Sequence, residues 1–454
     1  MEDLILKALA AAKADHVEIR IQTGASTRIL YQGRELESIR EPVLLGGCVR
    51  ALVDGGWGFC CFNDVENLAS YVTMACRQAK RAGGGKRGLA PTPVIRVHIA
   101  ANPGEDPRSI SLAEKETLCR LYNERILSGS PKIQSTSVNY ADNSTSVWYG
   151  DTQGSLIRED TVFCGISLVA VARDGADVQT ARRSVGDLRG FQICRGLDNL
   201  CDEAVASAVD MLRAPKVRAG RYDAVFDPQL TGVFIHEAFG HLSEADFIHQ
   251  NLRLQEIMRL GRRFGPDELS VVDDATLPGE AGSYAFDAEG VPGRKTYLIR
   301  HGKLTSRLHS RETAHAMNEP PTGNARAISY GYEPIVRMSN TFIEPRSGEM
   351  EDLIAGVEYG IYAKGFLGGQ TDMEMFSFSS EEAFMIRKGR LAERVRDANL
   401  SGNVFQTLMN IDAIGADLRR FGGLGGCGKG GQSPLRVSDG GPHIRVRDIV
   451  VGGE

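Results

Sequence analysis

The sequence predicts an α+β fold in two parts: an N-terminal mixed α/β domain over residues 1–215 and a C-terminal β-rich domain over 216–454. Three observations carry this reading. At 454 residues the chain exceeds one ordinary domain. Helix-period and strand-period segments alternate as far as Leu212, whereas strand-like segments dominate afterwards. Between the two regimes, Ala214-Pro215 marks a new unit whose first strand signal is Tyr222 to Phe226.

In chain order, Leu4 to Ala14 has the amphipathic spacing of a helix. His16 to Gln22 and Thr27 to Tyr31 alternate as strands. Val43 to Val53 is apolar and β-prone, with Gly46-Gly47 allowing a bend. Val65 to Ala82 reads as a helix capped by Asn63 or Asp64. The glycine-rich stretch 81–92 is the clearest flexible connector. Ser111 and Glu114 have the spacing of a capping box, opening a helix that ends near Ile126. Ser135 to Tyr140, Ser144 to Tyr149 and Phe163 to Ala172 are strand-like, and Leu200 to Leu212 closes this half as a helix.

In the second half, Asp227 offers a cap oxygen after the first strand, and Pro228 is preorganised for the first helical position. Leu269 to Asp273 is a short strand, and Thr296 to Ile299 and Leu304 to Leu308 flank a hairpin turn at His301-Gly302. Phe376 to Ser379 alternates apolar with polar residues, and Phe384 to Ile386 and Arg390 to Val395 flank a turn at Lys388-Gly389. Met350 to Tyr359 and Val404 to Leu418 read as helices. No repeat at solenoid periods is present.

Composition excludes several classes. The hydrophobic content of 42% and charged content of 24% are those of a globular protein. The net charge is −5 with no basic run, which argues against a nucleic-acid partner. The cysteines, nine in all and scattered, fit a reducing compartment better than a disulfide framework. Met1 to Ala14 lacks the pattern of a signal peptide, and no apolar run is long enough to span a bilayer. A cytoplasmic protein without membrane association is expected.

The helix begun at Asp227 carries His236-Glu237-Ala238-Phe239-Gly240-His241 about two turns in. Two imidazoles and a carboxylate are the parts of a hydrolytic zinc site: two nitrogen ligands and a base for metal-bound water. The spacing is one residue longer than the common His-Glu-x-x-His pattern. On a regular helix it leaves the histidines about 140° apart instead of about 40°. A π-bulge would restore a shared face, and Gly240 would ease such a rearrangement. The bland alternative is two surface or satisfied core histidines on an ordinary helix.

A catalytic zinc site wants a third protein ligand. Candidates downstream are His249, His301, His309, His315, His443, several carboxylates and Cys427. Cys427 has the most telling setting, because the glycines flanking it within Phe421 to Gln432 allow close backbone approach. The same stretch also reads as a flexible linker with an idle thiol, or as a phosphate-cradling loop. The P-loop spacing is absent, since no Gly-Lys-Ser or Gly-Lys-Thr follows.

Taken together, these segments resemble the TldD/PmbA family, and within it the TldD-type, catalytic members. The resemblance runs through His236 to His241 with Glu244-Ala245-Asp246, Asp273-Asp274, Leu277-Pro278-Gly279 and Phe286 to Pro292. It continues through Thr322-Gly323-Asn324, Met338-Ser339-Asn340, Gly365 to Gly369, Cys427 to Gln432 and the terminal Val451-Gly452-Gly453. In the first half it is looser, through Gly47 to Arg50 and Asp54 to Phe59. Gly430 stands where a more polar residue is the family pattern.

The resemblance implies a zinc metallopeptidase with Zn2+ on His236, His241 and Cys427 and with Glu237 as general base. It also implies small or unfolded polypeptides as substrates, reached through a narrow cavity in a dimer. That dimer would be a homodimer or a heterodimer with a PmbA/TldE-type subunit, which lacks the histidine motif. Family members have also been described as DNA gyrase modulators, so a non-enzymatic regulator or assembly partner is the alternative reading. A redox sensor built on Cys427 would need a resolving thiol that the local sequence lacks. Gly282-Ser283-Tyr284 and Gly365 to Gly369 could receive a peptide as an added strand, or serve turns. Glu244 and Asp246 either orient the motif histidines or sit beside them as surface acids.

Overall fold

The computed structural model describes residues 1–85, 87–372 and 374–452. Lys86 of the expected connector and Gly453 of the terminal motif lie outside the described residues. The fold is mixed α and β and rich in strands, as expected.

The first half is built on an eight-stranded sheet. Its central strands are His16–Gln32, Ile133–Asp151 and Leu156–Asp174. Two of these were expected as pairs of short strands. They run unbroken because each polar interruption keeps its partners in a single antiparallel ladder, Gly24 opposite Thr145 and Asp142 opposite Thr27. There Asp142 forms a buried ion pair with Lys115, 2.6 Å away. Gly46-Gly47 likewise makes no break in the Val43–Val53 strand, whose register against His16–Gln32 is continuous. Helix Leu68–Ala82 packs on one end of the sheet, and helices Leu112–Ser128 and Asp198–Met211 cover the region around Ile133–Asp151 and Leu156–Asp174. Ser111 caps helix Leu112–Ser128 through the Glu114 N–H, but the Glu114 carboxylate pairs with Arg195, so only half of the expected capping box forms.

Several expected boundaries shift. The first helix is Glu2–Ala10, and the second starts at Leu68 after Asn67, without a side-chain cap bond. The edge strand Asp177–Asp187 was not expected, because its polar sequence buries little and offers no clean alternation. The helix from Met350 stops at Ala355, and Tyr359 opens a strand parallel to Gly220–Phe226. The helix expected over Val404 to Leu418 ends at Met409. Ile411 and Ile414 fit a helical period by spacing, but they pair instead with the last strand, Ile444–Gly452. After His301-Gly302 only Lys303–Leu304 is strand. The turn at Lys388-Gly389 joins Glu382–Arg387 to Arg390–Val395 as expected.

The second half holds a nine-stranded sheet that includes Gly220–Phe226, and a six-stranded sheet that includes Val271–Asp274, Asn340–Ile343 and Ser438–Gly441. Helix Pro228–Ile235 is wedged between them. Asp227 caps it by accepting from the Leu230 N–H at 2.8 Å, and also accepts from Gly365 N–H at 3.0 Å. Phe234 meets Phe226, Phe376 and Phe378 of the larger sheet, with ring centroids 5.8, 5.3 and 6.5 Å apart. On its other side, Gly232 lies so close to the smaller sheet that a Cβ would sit 2.4 Å from the Gly440 nitrogen. The helix is therefore held from both sides just before the motif begins. All nine cysteines are free thiols. No helix among the described residues is long and apolar enough to cross a membrane.

Candidate metal centre

The helix widens at its end. His236–Gly240 is one turn of π-helix, and His241 N–H donates to His236 O, five residues back. This supplies the extra residue per turn that the motif spacing demands. The two imidazoles converge, with ring centroids 5.2 Å apart and planes at 89°.

Gly240 is needed here for a different reason from the one expected. Its own backbone is ordinary helix, with φ −57 and ψ −53. A Cβ would lie 2.0 Å from Sδ of Met338, and Met338 is fully buried. Gly240→Ala is therefore expected to cost about 1–3 kcal/mol of stability by overpacking. Chemical denaturation reads this directly, and trimming Met338 to Ala in the same chain should return part of the loss. An unchanged denaturation midpoint for Gly240→Ala would show that Met338 has room to move.

The third element is a short hairpin, Cys427–Lys429 against Gln432–Leu435. It is neither a loose linker nor a phosphate loop. Arg337, wholly buried, ties it down by donating to Cys427 O at 2.7 Å and to Gln432 O at 3.3 Å. The hairpin brings Cys427 Sγ to 3.3 Å from His241 Nε2. One donor atom each from His236, His241 and Cys427 lie within 4.8 Å of one another. No other group of three or more His, Cys, Asp or Glu side chains with this arrangement occurs among the described residues. In a tetrahedral zinc site an imidazole nitrogen and a thiolate sulfur stand about 3.5 Å apart. The donor set fits zinc in kind, and the Cys427–His241 pair fits it in spacing. His236 Nδ1 is buried without a hydrogen-bond partner among the described residues, as a nitrogen reserved for something other than protein would be.

Electrostatics agree with the geometry. Burial pushes the Cys427 thiol up, but His236 and His241 outweigh it and bring the pKa down to about 5. Burial would lower His241, yet Glu244 and Cys427 hold it up, at about 11. His236 is raised as well, against its burial, chiefly by Cys427. The thiolate and imidazole lone pairs that take up a proton in this arrangement are those that would take up a cation.

Glu244 resolves as a buried orienting group. It is fully buried, and its Oε2 accepts from His241 Nδ1 at 3.0 Å, which turns Nε2 toward Cys427. Its charge is retained in spite of burial because His241 and Lys429 draw its pKa down. Asp246 does not touch the histidines. It binds Lys429 Nζ at 2.6 Å, and Lys429 reaches Glu244 at 2.9 Å and Val336 O at 2.8 Å. Glu237 is one-third exposed, with Oε2 3.9 Å from His241 Nε2, so it faces the shared space and solvent.

The remaining histidines are engaged elsewhere. His309 is paired with Thr313 and Glu319, and His443 with Asp417 and Tyr362. His249 and His301 lie on main-chain carbonyls, and His315 packs on Gly88. Lys429 and Asp439 emerge only in three dimensions. Asp439 sits in strand Ser438–Gly441 beside the motif, and burial raises its pKa to about 7.

Motifs far apart in sequence support the centre from behind. Asp273 accepts from Ser339 N–H and Oγ–H at 2.8 and 2.7 Å, from Thr341 Oγ–H at 2.9 Å and from Asn324 Nδ2–H at 2.9 Å. This fully buried network fixes the strand that presents Met338 to Gly240.

Comparisons with known proteins cover most of the chain. Models of the PmbA/TldA metallopeptidases match in order: domain 1 over residues 17–79, the central domain over 105–212 and the C-terminal domain over 219–453. A metalloprotease of Synechocystis sp. is 46% identical over 444 residues, covering 98% of this chain and 96% of that protein. A zinc metalloprotease TldD homolog of Saccharolobus solfataricus is 32% identical over 422 residues, covering 90% of each. Among solved structures, a Thermotoga maritima protein proposed as a modulator of a DNA gyrase has TM-score 0.82 at 18% identity, over 99% of this chain and 100% of that one. TldE from Thermococcus kodakarensis has TM-score 0.77 at 16% identity, over 100% of both chains.

Proposed function

Since this chain belongs to the PmbA/TldA metallopeptidase family and is a peptidase, we propose that it hydrolyses peptide bonds of small or unfolded polypeptides at a zinc centre. His236, His241 and Cys427 would hold the zinc, and Glu237 would act as general base. The observation that carries this reading is the convergence of the three donors within 4.8 Å, with Glu237 beside them. Zinc bound there would polarise the scissile carbonyl and acidify a water.

The chain's own residues do the rest. A thiolate donor leaves the centre less positive than three histidines would, so more of the deprotonation falls to Glu237. A Glu237 carboxylate oxygen takes the proton of the attacking water and passes it to the leaving amine nitrogen. Glu244 keeps His241 in the tautomer with Nδ1 protonated and Nε2 free to ligate. Glu244→Gln is thus expected to weaken zinc binding about 10- to 100-fold, measured by competition with a chromophoric chelator. Equal affinity would remove Glu244 from this role.

For substrate, Gly368–Asp372 is an edge strand of the nine-stranded sheet, at the end opposite Arg390–Val395. It offers main-chain groups to an extended peptide, a mode of binding that tolerates many sequences. Gly282 and Tyr284 are poorer candidates, because their N–H groups are already bonded to Asn340 and Ala275. Likeness in fold to TldE supports assembly with a PmbA/TldE-type subunit or with a second copy. Light scattering on the chain alone and mixed with such a subunit separates the two. The primary test is zinc content by mass spectrometry beside hydrolysis of an unstructured peptide. A chain that binds no zinc when reconstituted under reducing conditions would overturn the centre.

A further inference from the structure

A cavity of about 670 Å³ lies between the N-terminal sheet and the C-terminal half, a size suited to part of a polypeptide. Four arginines line it: Arg20, Arg28, Arg326 and Arg436. Among the described residues, no carboxylate forms an ion pair with any of the four.

Two of them have structural work. Arg20 donates to Ser329 O and Tyr332 O, and Arg326 to Met338 O and Arg436 O. The guanidinium groups of Arg28 and Arg436 make no hydrogen bond or ion pair with any described residue. The Arg436 guanidinium carbon lies over Phe163, 4.1 Å from the ring centre.

The carboxylates that line the cavity cannot neutralise these cations. Asp142 is held by Lys115 at 2.6 Å. Glu159 accepts from the Ala285 and Phe286 N–H groups, and Asp287 from those of Glu289, Val291 and Ala325. Burial raises the pKa of both, which reduces their charge further. Burial, with repulsion from Arg326 and Arg28, pushes Arg436 down to about 10. Clustered like charges without counter-charge are costly, and an anionic ligand relieves that cost.

The cavity also adjoins the candidate centre. Arg436 directly follows Leu435, the residue paired with Cys427 in the hairpin. Arg326 binds the carbonyl of Met338, whose side chain abuts Gly240.

We propose that this cavity binds a carboxylate of the polypeptide substrate on Arg436 and Arg28, a reading that rests on the peptidase function above. A guanidinium fork matches a carboxylate in shape and charge. The carboxylate comes either from the peptide C-terminus or from an Asp or Glu side chain.

The test is fluorescence anisotropy with the full-length Glu237→Gln protein and a labelled, unstructured peptide that carries Glu residues and a free C-terminus. It is compared with its C-terminal amide and with its Glu-to-Gln version. One neutralised peptide is expected to bind about tenfold more weakly, and which one identifies the source of the carboxylate. Arg436→Gln should abolish the difference, and Arg436→Lys should retain part of it. Arg28→Gln, at an exposed position, should reduce the difference without risk to the core. Equal binding of charged and neutral peptides would overturn the proposal, as would a preference that survives Arg436→Gln. Hydrolysis by the wild-type chain is read separately. Peptides that bind with this preference yet are never cleaved would overturn the peptidase centre and leave the anion subsite standing.

Discussion

Glu237→Gln is expected to slow peptide hydrolysis about 10²- to 10⁴-fold while the zinc content stays the same. The amide keeps the shape of the carboxylate but cannot take a proton from water. Glu237 is one-third exposed and lies 3.9 Å from His241 Nε2, so it is placed beside the donors and makes no short contact with His241. Its loss should therefore leave the three donors where they are. The effect belongs in kcat, with little change in KM, because the group acts on water and not on substrate binding. Activity within a few-fold of wild type would remove Glu237 from the role of base. A parallel loss of zinc would instead make it part of the binding site. A purely regulatory protein would not need this carboxylate at all, so the variant also tests that alternative.

Cys427→Ala is expected to lose zinc outright, and activity with it. Three protein donors are the usual complement of a catalytic zinc site, and two histidines alone rarely retain the metal against competition. Mass spectrometry of the purified variant should show well under one zinc per chain, against about one for the wild type. The fold should survive, since Arg337 grips the hairpin through the main-chain carbonyl of Cys427 and not through its side chain. Circular dichroism and the denaturation midpoint check that point. Full zinc occupancy in Cys427→Ala would sink the assignment of the third donor and redirect attention to Glu237 or to Asp439 beside it.

Much of this arrangement is legible in the chain before folding. The Asp227-Pro228 start, the Ser111 cap and the Lys388-Gly389 hairpin follow from contacts within a few residues. The π-turn is legible as a condition: histidines five residues apart share a face only if a residue is added to the turn, and the folded chain adds it. Where long-range pairing decides, the local pattern misleads. Gly24-Ala25-Ser26 and Ala141-Asp142-Asn143 look like breaks, yet each stays paired with the neighbouring strand, and Ser26 faces Asn143 where the two overlap. Ile411 and Ile414 suit either a helix or a strand, and the stretch of Ile444–Gly452 that Asn399–Asn403 leaves unpaired selects the strand.

The sequence by itself determined the chemistry on offer: two imidazoles, one carboxylate and one glycine-flanked thiol, with the backbone distortion that the histidine spacing requires. Tertiary structure decided that the thiol, 186 residues from His241, comes within 3.3 Å of it. It also decided that Glu244 turns inward while Asp246 serves Lys429, and that four arginines share one cavity. The division has a physical cause. Turns and caps are set by steric limits and hydrogen bonds between near neighbours, which a short window of residues specifies completely. Distant contacts are set by which apolar faces bury one another and which buried donors find acceptors, and those depend on the whole chain at once.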